Sequence, residues 1–269
     1  QRNQERRGKV MLNSYSIANA LAQFDINIDA LTSVDLVNDS REVKTGSVFC
    51  AVIGSLQDGR KYIDQAINAG AVLIISECQH KQQHGNIITR DSTIVNAEKV
   101  NIIQFYQLNA HLTALAQYYY DQPLNKLKLI GVTDTNGKTS TSLITARLFE
   151  LCGKSSAVIG TVGAGKLGAL QAISNTTPGG TELSQLLAKF VEQDVEYAVM
   201  EVSSHALDQR RVTSDMLSVA AFTNLTRDHL DYHHTMEKYA AAKLSIFSNE
   251  NQHAVVNGQL ISEAGILEV

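Results

Sequence analysis

The sequence contains no tryptophan, only two prolines and no long apolar run among its 269 residues. Its longest strongly apolar run, residues 71–75, is far shorter than the ~20 residues that cross a bilayer. A basic surplus is also missing, because 23 Lys and Arg residues stand against 27 Asp and Glu, and the net charge of −4 does not suit a general nucleic-acid binder. Hydrophobic residues nevertheless make up 44% of the chain, which is enough for a packed core. We therefore predict a soluble globular protein that does not bind nucleic acid or membranes.

Cysteine is scarce as well. Cys50, Cys78 and Cys152 are widely spaced and form no CxxC pair, which argues against a disulfide framework or a zinc ribbon and suits a reducing cytoplasm. The chain begins with the basic segment QRNQERRGKV, but the MLNSYS that follows is no hydrophobic signal core, so we predict no export signal. Met11 is a candidate natural start, in which case residues 1–10 do not belong to the native domain.

Apolar patterning predicts an α/β protein with two domains. A polar segment around Pro123, residues 121–126, is the expected linker. We predict an N-terminal domain at 1–122 and a central domain at 123–269, the latter with a mostly parallel sheet covered by helices. The expected strands are 47–53, 71–76, 127–133, 156–162, 197–204, 218–225 and 253–257. The expected helices include 63–70, 112–119, 183–191 and one with Ile144, Leu148 and Leu151 along a single face.

The strongest chemical signal is the segment GVTDTNGKT at 131–139, between a predicted strand and a predicted helix. A glycine-bearing turn lets backbone N–H groups approach phosphate oxygens, and the helix N-terminus adds partial positive charge. In such a loop Lys138 would reach the terminal phosphates and the Thr139 hydroxyl would bind Mg²⁺. Five residues separate Gly131 and Gly137, one more than in the common phosphate loop. An ordinary turn with an exposed lysine is the alternative, but the flanking strand and helix favour a nucleotide loop.

Five blocks of sequence share a resemblance to one family. They are NDSREVKTGSVFCAVIGSLQDGRKYI (38–63), TNGKTST (135–141), SNTTPGGTELS (174–184), MEVSSHALDQRRV (200–212) and FTNLTRDHLDYHHTMEKYAAAKLSIF (222–247). Together they resemble the Mur ligases over most of residues 36–257. Within that family they are most similar to the branch that adds the third residue of the peptidoglycan peptide.

The resemblance implies an ATP-dependent ligase. ATP phosphorylates a substrate carboxylate, and an incoming amine then attacks the acyl phosphate to form an amide. The implied substrates are UDP-N-acetylmuramoyl-L-alanyl-D-glutamate, ATP and a diamino acid (meso-diaminopimelate or L-lysine), with Mg²⁺ as cofactor. The N-terminal domain would then bind the uridine nucleotide and the central P-loop-type domain would bind ATP, in a cytoplasmic and monomeric protein.

The resemblance also implies site residues. The catalytic set is Lys138, Glu201, His229 and Lys243. The metal ligands are Thr139, Glu201, His229 and Lys243, the lysine after conversion to a carbamate. The nucleotide contacts are Asp134, Thr135, Asn136, Gly137, Lys138, Thr139, Ser140 and Asn224. The substrate contacts are Ser40, Arg41, Asn175, Thr176, Thr177, Ser203, Gln209 and Arg211.

Each of these residues also has a simpler interpretation. Glu201 ends a predicted strand, where a carboxylate serves either Mg²⁺ or a surface salt bridge. His229 is either a metal ligand or structural; a zinc pair with His233 lacks a third soft ligand and is discounted. Lys243 falls on an otherwise apolar helix face, so its ammonium either extends to water or is buried and reacts with CO₂ as the neutral amine. We favour the carbamate.

Two features depart from the family pattern. Asp134 replaces a glycine of the phosphate loop, and we expect a Cβ at a position of positive φ, together with the added charge, to weaken ATP binding by ~1–3 kcal/mol. The resemblance fades after Asn257, so the family's C-terminal domain is not found in this sequence. These features support an alternative function, a remnant that binds the UDP-linked substrate without catalysis. An unrelated P-loop GTPase is disfavoured because no NKxD-like segment is found.

Overall fold

The structure is a computed structural model that describes residues 15–54, 57–92, 99–250 and 252–263, without the side chains of 261–263. The basic N-terminal segment and Met11 lie outside these residues. The chain divides into two compact units, Gln1–Tyr119 and Tyr120–Val269. The predicted linker segment lies at the start of the second unit, where Pro123–Asn125 form a 3₁₀ turn. Among the described helices, none has the length and apolar character that a membrane span requires.

The first unit is built on a mostly parallel sheet. Its elements are β1 (Tyr15–Ser16), α1 (Ile17–Ala22), β2 (Thr32–Ser33), β3 (Asp35–Val37), β4 (Ser47–Ala51), α2 (Ile63–Asn68), β5 (Leu73–Cys78), β6 (Ile87–Asp91), β7 (Lys99–Tyr106) and α3 (Leu108–Tyr119), with 3₁₀ turns at Gly59–Tyr62 and Lys81–Gln83. The main sheet has the order β3-β4-β5-β7-β6, and only β6 is antiparallel to its neighbour. Phe49, Ile74 and Ile102 lie in a core that α2 covers.

The second unit carries the larger sheet. Its elements are β8 (Lys128–Thr133), α4 (Lys138–Leu151), β9 (Ser156–Gly160), β10 (Gly163–Gly165), α5 (Gly180–Glu192), β11 (Tyr197–Glu201), α6 (Ser204–Asp208), β12 (Val219–Phe222), α7 (Leu230–His233), α8 (Met236–Leu244), β13 (His253–Val256) and α9 (Gly258–Glu263), with 3₁₀ turns at Ser214–Met216 and Ser245–Phe247. The strand order is β10-β9-β11-β8-β12-β13, with β10 alone antiparallel to its neighbour. The predicted α/β class with a mostly parallel sheet is confirmed.

Both faces of the second sheet are covered, which explains its continuous apolar strands. One face packs on α5 through residues such as Leu129 and Met200, and the other packs under α4 through Val132 and Val199. The apolar stripe on α4 does not form that contact. Ile144, Leu148 and Leu151 are 60%, 56% and 68% exposed, while the small residues Ser142 and Ala146 are buried. Small side chains on the inner face let the helix approach the strands closely.

The parallel strands bring four functional segments to one edge. The carboxyl ends of β8, β9, β11 and β12 are Thr133, Gly160, Glu201 and Phe222. Ligands of open α/β sheets bind outside these carboxyl ends. The fold thus places the predicted nucleotide loop, which follows β8, at the same edge as the segments that follow β9, β11 and β12.

Candidate functional site

The phosphate loop connects β8 to α4 through a turn that requires glycine. Gly137 is the N-cap of α4 with φ +110°, a conformation that L side chains rarely adopt, and no side chain caps the helix there. The first-turn N–H groups contributed by Lys138, Thr139 and Ser140 therefore have no side-chain cap competing for them. A helix N-terminus of this kind binds anions through its N–H groups and its dipole.

Side chains from the segment after β12 hold this loop in place. The Asn224 carboxamide oxygen accepts from the backbone N–H groups of Thr135 and Asn136 at 3.2 and 3.1 Å, and its Nδ2 donates to the Asn136 carbonyl at 2.6 Å. The Thr135 hydroxyl accepts from the backbone N–H of Thr226 at 2.9 Å and lies 3.2 Å from the Tyr239 hydroxyl on α8. The Asn224 amide, expected from the resemblance to contact the nucleotide, is thus engaged with the loop backbone.

Asp134 does not strain the loop backbone. It is absent from the described non-glycine residues with positive φ, so the expected steric penalty there is wrong; within the loop the positive φ falls on Gly137. The side chain is instead fully buried and paired. Its Oδ1 lies 3.1 Å from the Lys138 ammonium, and its Oδ2 accepts from the Thr223 hydroxyl at 3.1 Å.

Lys243 is buried at the centre of the site. It is 1% exposed, and its ammonium donates to the Thr133 hydroxyl at 3.2 Å and to the Asp134 carbonyl at 2.6 Å. The ammonium also lies 4.9 Å from the centre of the Tyr239 ring. Burial, and secondarily the nearby Lys138 ammonium, lower the pKa of Lys243 to about 7. The side chain therefore does not extend to water, and a large fraction of it is the neutral amine near pH 7.

Glu201 is held rigidly at the end of β11. Its carboxylate accepts from the backbone N–H and the hydroxyl of Thr161, at 3.0 and 3.1 Å. Its backbone carbonyl accepts from the Thr177 hydroxyl at 2.9 Å. The side chain is 2% exposed and lies against Gly160, where a Cβ would overlap it. Glu201 thus has one fixed orientation, directed toward the segment that follows β9.

Three histidines surround Tyr232 and Tyr239 near α7. His205 lies 5.0 Å from His229 and 5.6 Å from His233, measured between ring centres. His233 is buried with Nε2 2.9 Å from the Ser204 hydroxyl, and burial lowers its pKa. The pKa of His205 is lowered by burial and then by His229. Burial therefore favours the neutral form of His205 and of His233.

One cavity of about 370 Å³ brings the predicted substrate contacts of the second unit together with Lys138, His229 and Lys243, whereas Glu201, Asn224 and the other predicted loop residues do not line it. It is lined by Lys138, Thr161, Asn175, Thr176, Thr177, Ser203, Ser204, His205, Gln209, Arg211, His229 and Lys243. Glu201 is buried behind this lining, where its carboxylate accepts two hydrogen bonds from the lining residue Thr161. The Arg211 guanidinium donates to the Thr177 carbonyl at 2.6 Å, while its buried Nε has no partner within the described part of the chain. An unpartnered buried N–H next to a cavity is suited to a ligand carboxylate.

The donor set fits Mg²⁺ better than a transition metal. Among the described residues, no group of three or more His, Cys, Asp or Glu side chains could hold an ion without further ligands. Mg²⁺ usually takes one or two protein ligands and completes its shell with phosphate oxygens and water. Thr139 at the start of α4 and Glu201 at the end of β11 are residues of that kind. Lys243 could join them only as an anion.

A second cavity, of about 500 Å³, lies within the first unit. It is lined by Asn38, Asp39, Ser40, Arg41, Phe49, Val52, Gln57, Gly59, Tyr62 and Gln65. The Arg41 guanidinium makes two-point contact with the Asp39 carboxylate, and the Ser40 hydroxyl donates to Gln65 at 3.4 Å. Ser40 and Arg41 therefore line a polar cavity beside the aromatic rings of Phe49 and Tyr62.

Several residues of the sites escaped the sequence interpretation. Thr161, Thr223, His205 and Tyr239 each contact a predicted residue, and Gly160 leaves the space that Glu201 occupies. Thr161 and Thr223 directly follow β9 and β12, so their position at the carboxyl ends of parallel strands was the available signal. The contacts of Tyr239 and Gly160 depend on side-chain packing and left no signal in the sequence.

Known proteins resemble this chain in sequence and in fold. Two family models match the chain: "Mur ligase family, catalytic domain" over residues 36–120 and "Mur ligase middle domain" over 132–264. The UDP-N-acetylmuramoyl-L-alanyl-D-glutamate–2,6-diaminopimelate ligase of Haemophilus influenzae strain 86-028NP is 42% identical over 224 residues, which are 83% of this chain and 44% of that protein. The strain PittEE counterpart is 41% identical over the same lengths. The chain thus spans less than half the length of these curated relatives.

Solved structures show the same relationship. A UDP-N-acetylmuramoyl-L-alanyl-D-glutamate–2,6-diaminopimelate ligase matches with a TM-score of 0.66 at 27% identity, covering 93% of this chain and 50% of that one. MurF ligase from Thermotoga maritima, in complex with ADP, matches with a TM-score of 0.52 at 25% identity, covering 86% and 48%. Because the two family models together extend from residue 36 to residue 264, the chain belongs to the Mur ligase family.

Proposed function

We propose that this chain provides the two substrate-binding units of an ATP-dependent ligase that joins a diamino acid to UDP-N-acetylmuramoyl-L-alanyl-D-glutamate. The observation that carries the proposal is the single cavity at the carboxyl ends of β8, β9, β11 and β12. There a phosphate-loop lysine, a buried low-pKa lysine and an arginine with an unpartnered N–H converge. Such a site needs to position a phosphoryl donor, a carboxylate acceptor and positive charge together.

The nucleotide belongs at the start of α4. The first-turn N–H groups and Lys138 would bind the phosphates of ATP, and Thr139 and Glu201 would hold Mg²⁺. Bound Mg²⁺ would neutralise charge on the transferred phosphoryl group. Asn224 and Thr135 contribute by fixing the loop backbone in one conformation, which reduces the entropy lost on binding.

The acceptor carboxylate belongs next to Arg211. Its unpartnered Nε and the polar groups of Asn175, Thr176, Ser203 and Gln209 line the same cavity as Lys138. A carboxylate bound there would face the phosphoryl donor, and transfer would give an acyl phosphate that an amine attacks to release phosphate. The uridine end of the substrate would bind in the cavity at Ser40 and Arg41 in the first unit.

Lys243 is proposed to become a carbamate. Its amine would attack CO₂, forming an N–C bond and releasing one proton, and the resulting anion would serve as a metal ligand together with His229. The pKa of about 7 supports this chemistry, since only the neutral amine reacts. Growth with ¹³CO₂ and carbon NMR would detect a carbamate carbonyl that Lys243→Arg lacks. A spectrum without that signal in wild-type protein would contradict the assignment.

A binding-only function is the second candidate. The Asp134 carboxylate forms an ion pair with Lys138, the residue that would otherwise bind the terminal phosphates. Calorimetry with Mg·ADP and with the UDP-linked dipeptide tests binding, and phosphate release with added diamino acid tests catalysis. We expect both ligands to bind, with Lys138→Ala abolishing only nucleotide binding and Arg211→Ala only dipeptide-substrate binding. Absence of nucleotide binding would contradict the proposed function.

A monomeric state and a cytoplasmic location, the latter suggested by the cysteine content, stay predictions.

A further inference from the structure

We infer that the Asp134 carboxylate is an internal anion of the phosphate loop, which competes with nucleotide phosphate for Lys138 and makes nucleotide binding depend more strongly on a divalent cation. This inference rests on the proposed function, because it assumes that the loop binds a nucleotide. It assigns Asp134 a role in setting affinity and metal dependence, with no part in the chemical step.

The hydrogen bonds of Lys138 carry the first step. Its ammonium has three acceptors in the described structure: the Asp134 carboxylate at 3.1 Å, the Asp134 carbonyl at 2.9 Å and the Thr135 carbonyl at 3.4 Å. All three belong to the loop itself. A phosphate that binds this lysine must therefore replace at least one of these contacts, and the contact to the carboxylate, in which both partners are charged, is the strongest.

The environment of the carboxylate carries the second step. Asp134 is fully buried, and the Thr223 hydroxyl binds its second oxygen at 3.1 Å. The carboxylate is thus fixed by β12 on one side and by Lys138 on the other. It cannot rotate into water when a phosphate arrives without losing the Thr223 contact. The negative charge therefore remains in the loop when the nucleotide binds.

The third step concerns the charge of the ligand. Charges that are shielded from water interact over several ångströms with little screening, so a fixed carboxylate repels the phosphates. Metal-free nucleotide carries more negative charge than its Mg²⁺ complex and suffers the larger penalty. A loop with Asp134 therefore discriminates against metal-free nucleotide more strongly than a loop with glycine or asparagine at this position.

The experiment measures binding of a fluorescent ADP analogue in Mg²⁺ and in EDTA. Asp134→Asn retains the size of the side chain and one acceptor oxygen but removes the charge. We expect the variant to bind metal-free nucleotide about tenfold more tightly than wild type, with a smaller gain in Mg²⁺. Asp215→Asn removes an exposed charge ahead of β12 and is the matched control, expected to bind like wild type.

The outcomes separate the inference from the function on which it rests. Equal affinities of wild type and Asp134→Asn, an equal gain in Mg²⁺ and in EDTA, or weaker binding by the variant would overturn the inference while nucleotide binding stands. No binding by any variant would overturn the proposed function and the inference with it. Should Asp134→Asn fail to fold by circular dichroism, Asp134→Gly provides the same comparison.

Discussion

The Glu201 carboxylate packs against Gly160 and lies in the space that a Cβ at position 160 would occupy. A Cβ at Gly160 would lie 2.7 Å from Glu201 Cγ and closer still to the carboxyl atoms. Real Cβ atoms do not approach so closely, so any larger residue at 160 must displace the carboxylate. The glycine at the end of β9 therefore determines where the proposed metal ligand on β11 lies.

Gly160→Ala should consequently weaken Mg²⁺-dependent nucleotide binding without a comparable loss of metal-free binding. Gly160 does not have a positive φ, so alanine is tolerated by the backbone and the effect acts through Glu201. Calorimetry in Mg²⁺ and in EDTA would measure the two affinities. Gly179→Ala is the control, because no atom of the described residues lies within 4 Å of its Cβ position. Equal metal dependence in Gly160→Ala and wild type would contradict the role of Glu201.

Asn224→Ala should lower nucleotide affinity. The Asn224 side chain binds the backbone of the loop, so we expect the effect to act through the conformation of the loop. The substitution removes four side-chain hydrogen bonds: three to the loop, with the N–H groups of Thr135 and Asn136 and the Asn136 carbonyl, and one to the Thr223 hydroxyl. At ~1 kcal/mol for each net hydrogen bond, we expect a loss of ~1–3 kcal/mol in loop stability. Hydrogen exchange of the loop amides and nucleotide titration would report it. Asn257→Ala, which removes a bond to the Thr223 carbonyl outside the loop, is the control.

Lys243 should make stability depend on pH in a defined direction. Its pKa in the folded protein is lowered to about 7, below the ordinary value of 10.5. Between these values the unfolded chain binds more protons, so the free energy of unfolding rises with pH through this window and is lowest below pH 7. The slope contributed by this group approaches ~1.4 kcal/mol per pH unit.

Urea unfolding of wild type and Lys243→Met in CO₂-free buffer, at pH 7 and pH 9, would isolate this contribution. We expect the free energy of unfolding of wild type to rise relative to that of Lys243→Met between pH 7 and pH 9. Any stability advantage of the methionine variant at pH 7 should therefore be smaller at pH 9. Lys189→Met changes an exposed lysine on α5 and should show no such trend. A pH-independent difference for Lys243→Met would show that the lysine remains charged or reaches solvent.

Substitutions on the outer face of α4 should change stability little, whereas substitutions on its inner face should change it strongly. Leu148→Gln replaces a side chain that is 56% exposed, and we expect the free energy of unfolding to change by less than ~0.5 kcal/mol. Ala146→Leu adds volume to a fully buried position against the sheet and should cost ~1–3 kcal/mol. Thermal or urea unfolding of both variants would measure this. A large loss in Leu148→Gln would show that the stripe is covered in solution.

Local patterns were sufficient for seven of the strands and for the turn between β8 and α4, but they missed the strands β3, β6, β7 and β10. The parallel strands could be predicted because their residues are apolar on both faces, and the loop because glycine and lysine occur between a strand and a helix. Patterns could not orient α4, since an apolar stripe at Ile144 and Leu148 does not reveal that small residues pack better against the sheet. They also misjudged Asp134, because φ is set by the whole turn and the ion pair with Lys138 is a three-dimensional contact.

The Lys243 ammonium donates to the carbonyl of Asp134, the residue that also binds Lys138. The Tyr239 hydroxyl, one helical turn away on α8, lies beside the Thr135 hydroxyl of the same loop. If the loop binds a nucleotide as proposed, these contacts link its occupancy thermodynamically to the chemical state of Lys243, and linkage is reciprocal. If a bound nucleotide changes the affinity of Lys243 for a proton or for CO₂ by some factor, then binding of that proton or CO₂ changes the affinity for the nucleotide by the same factor.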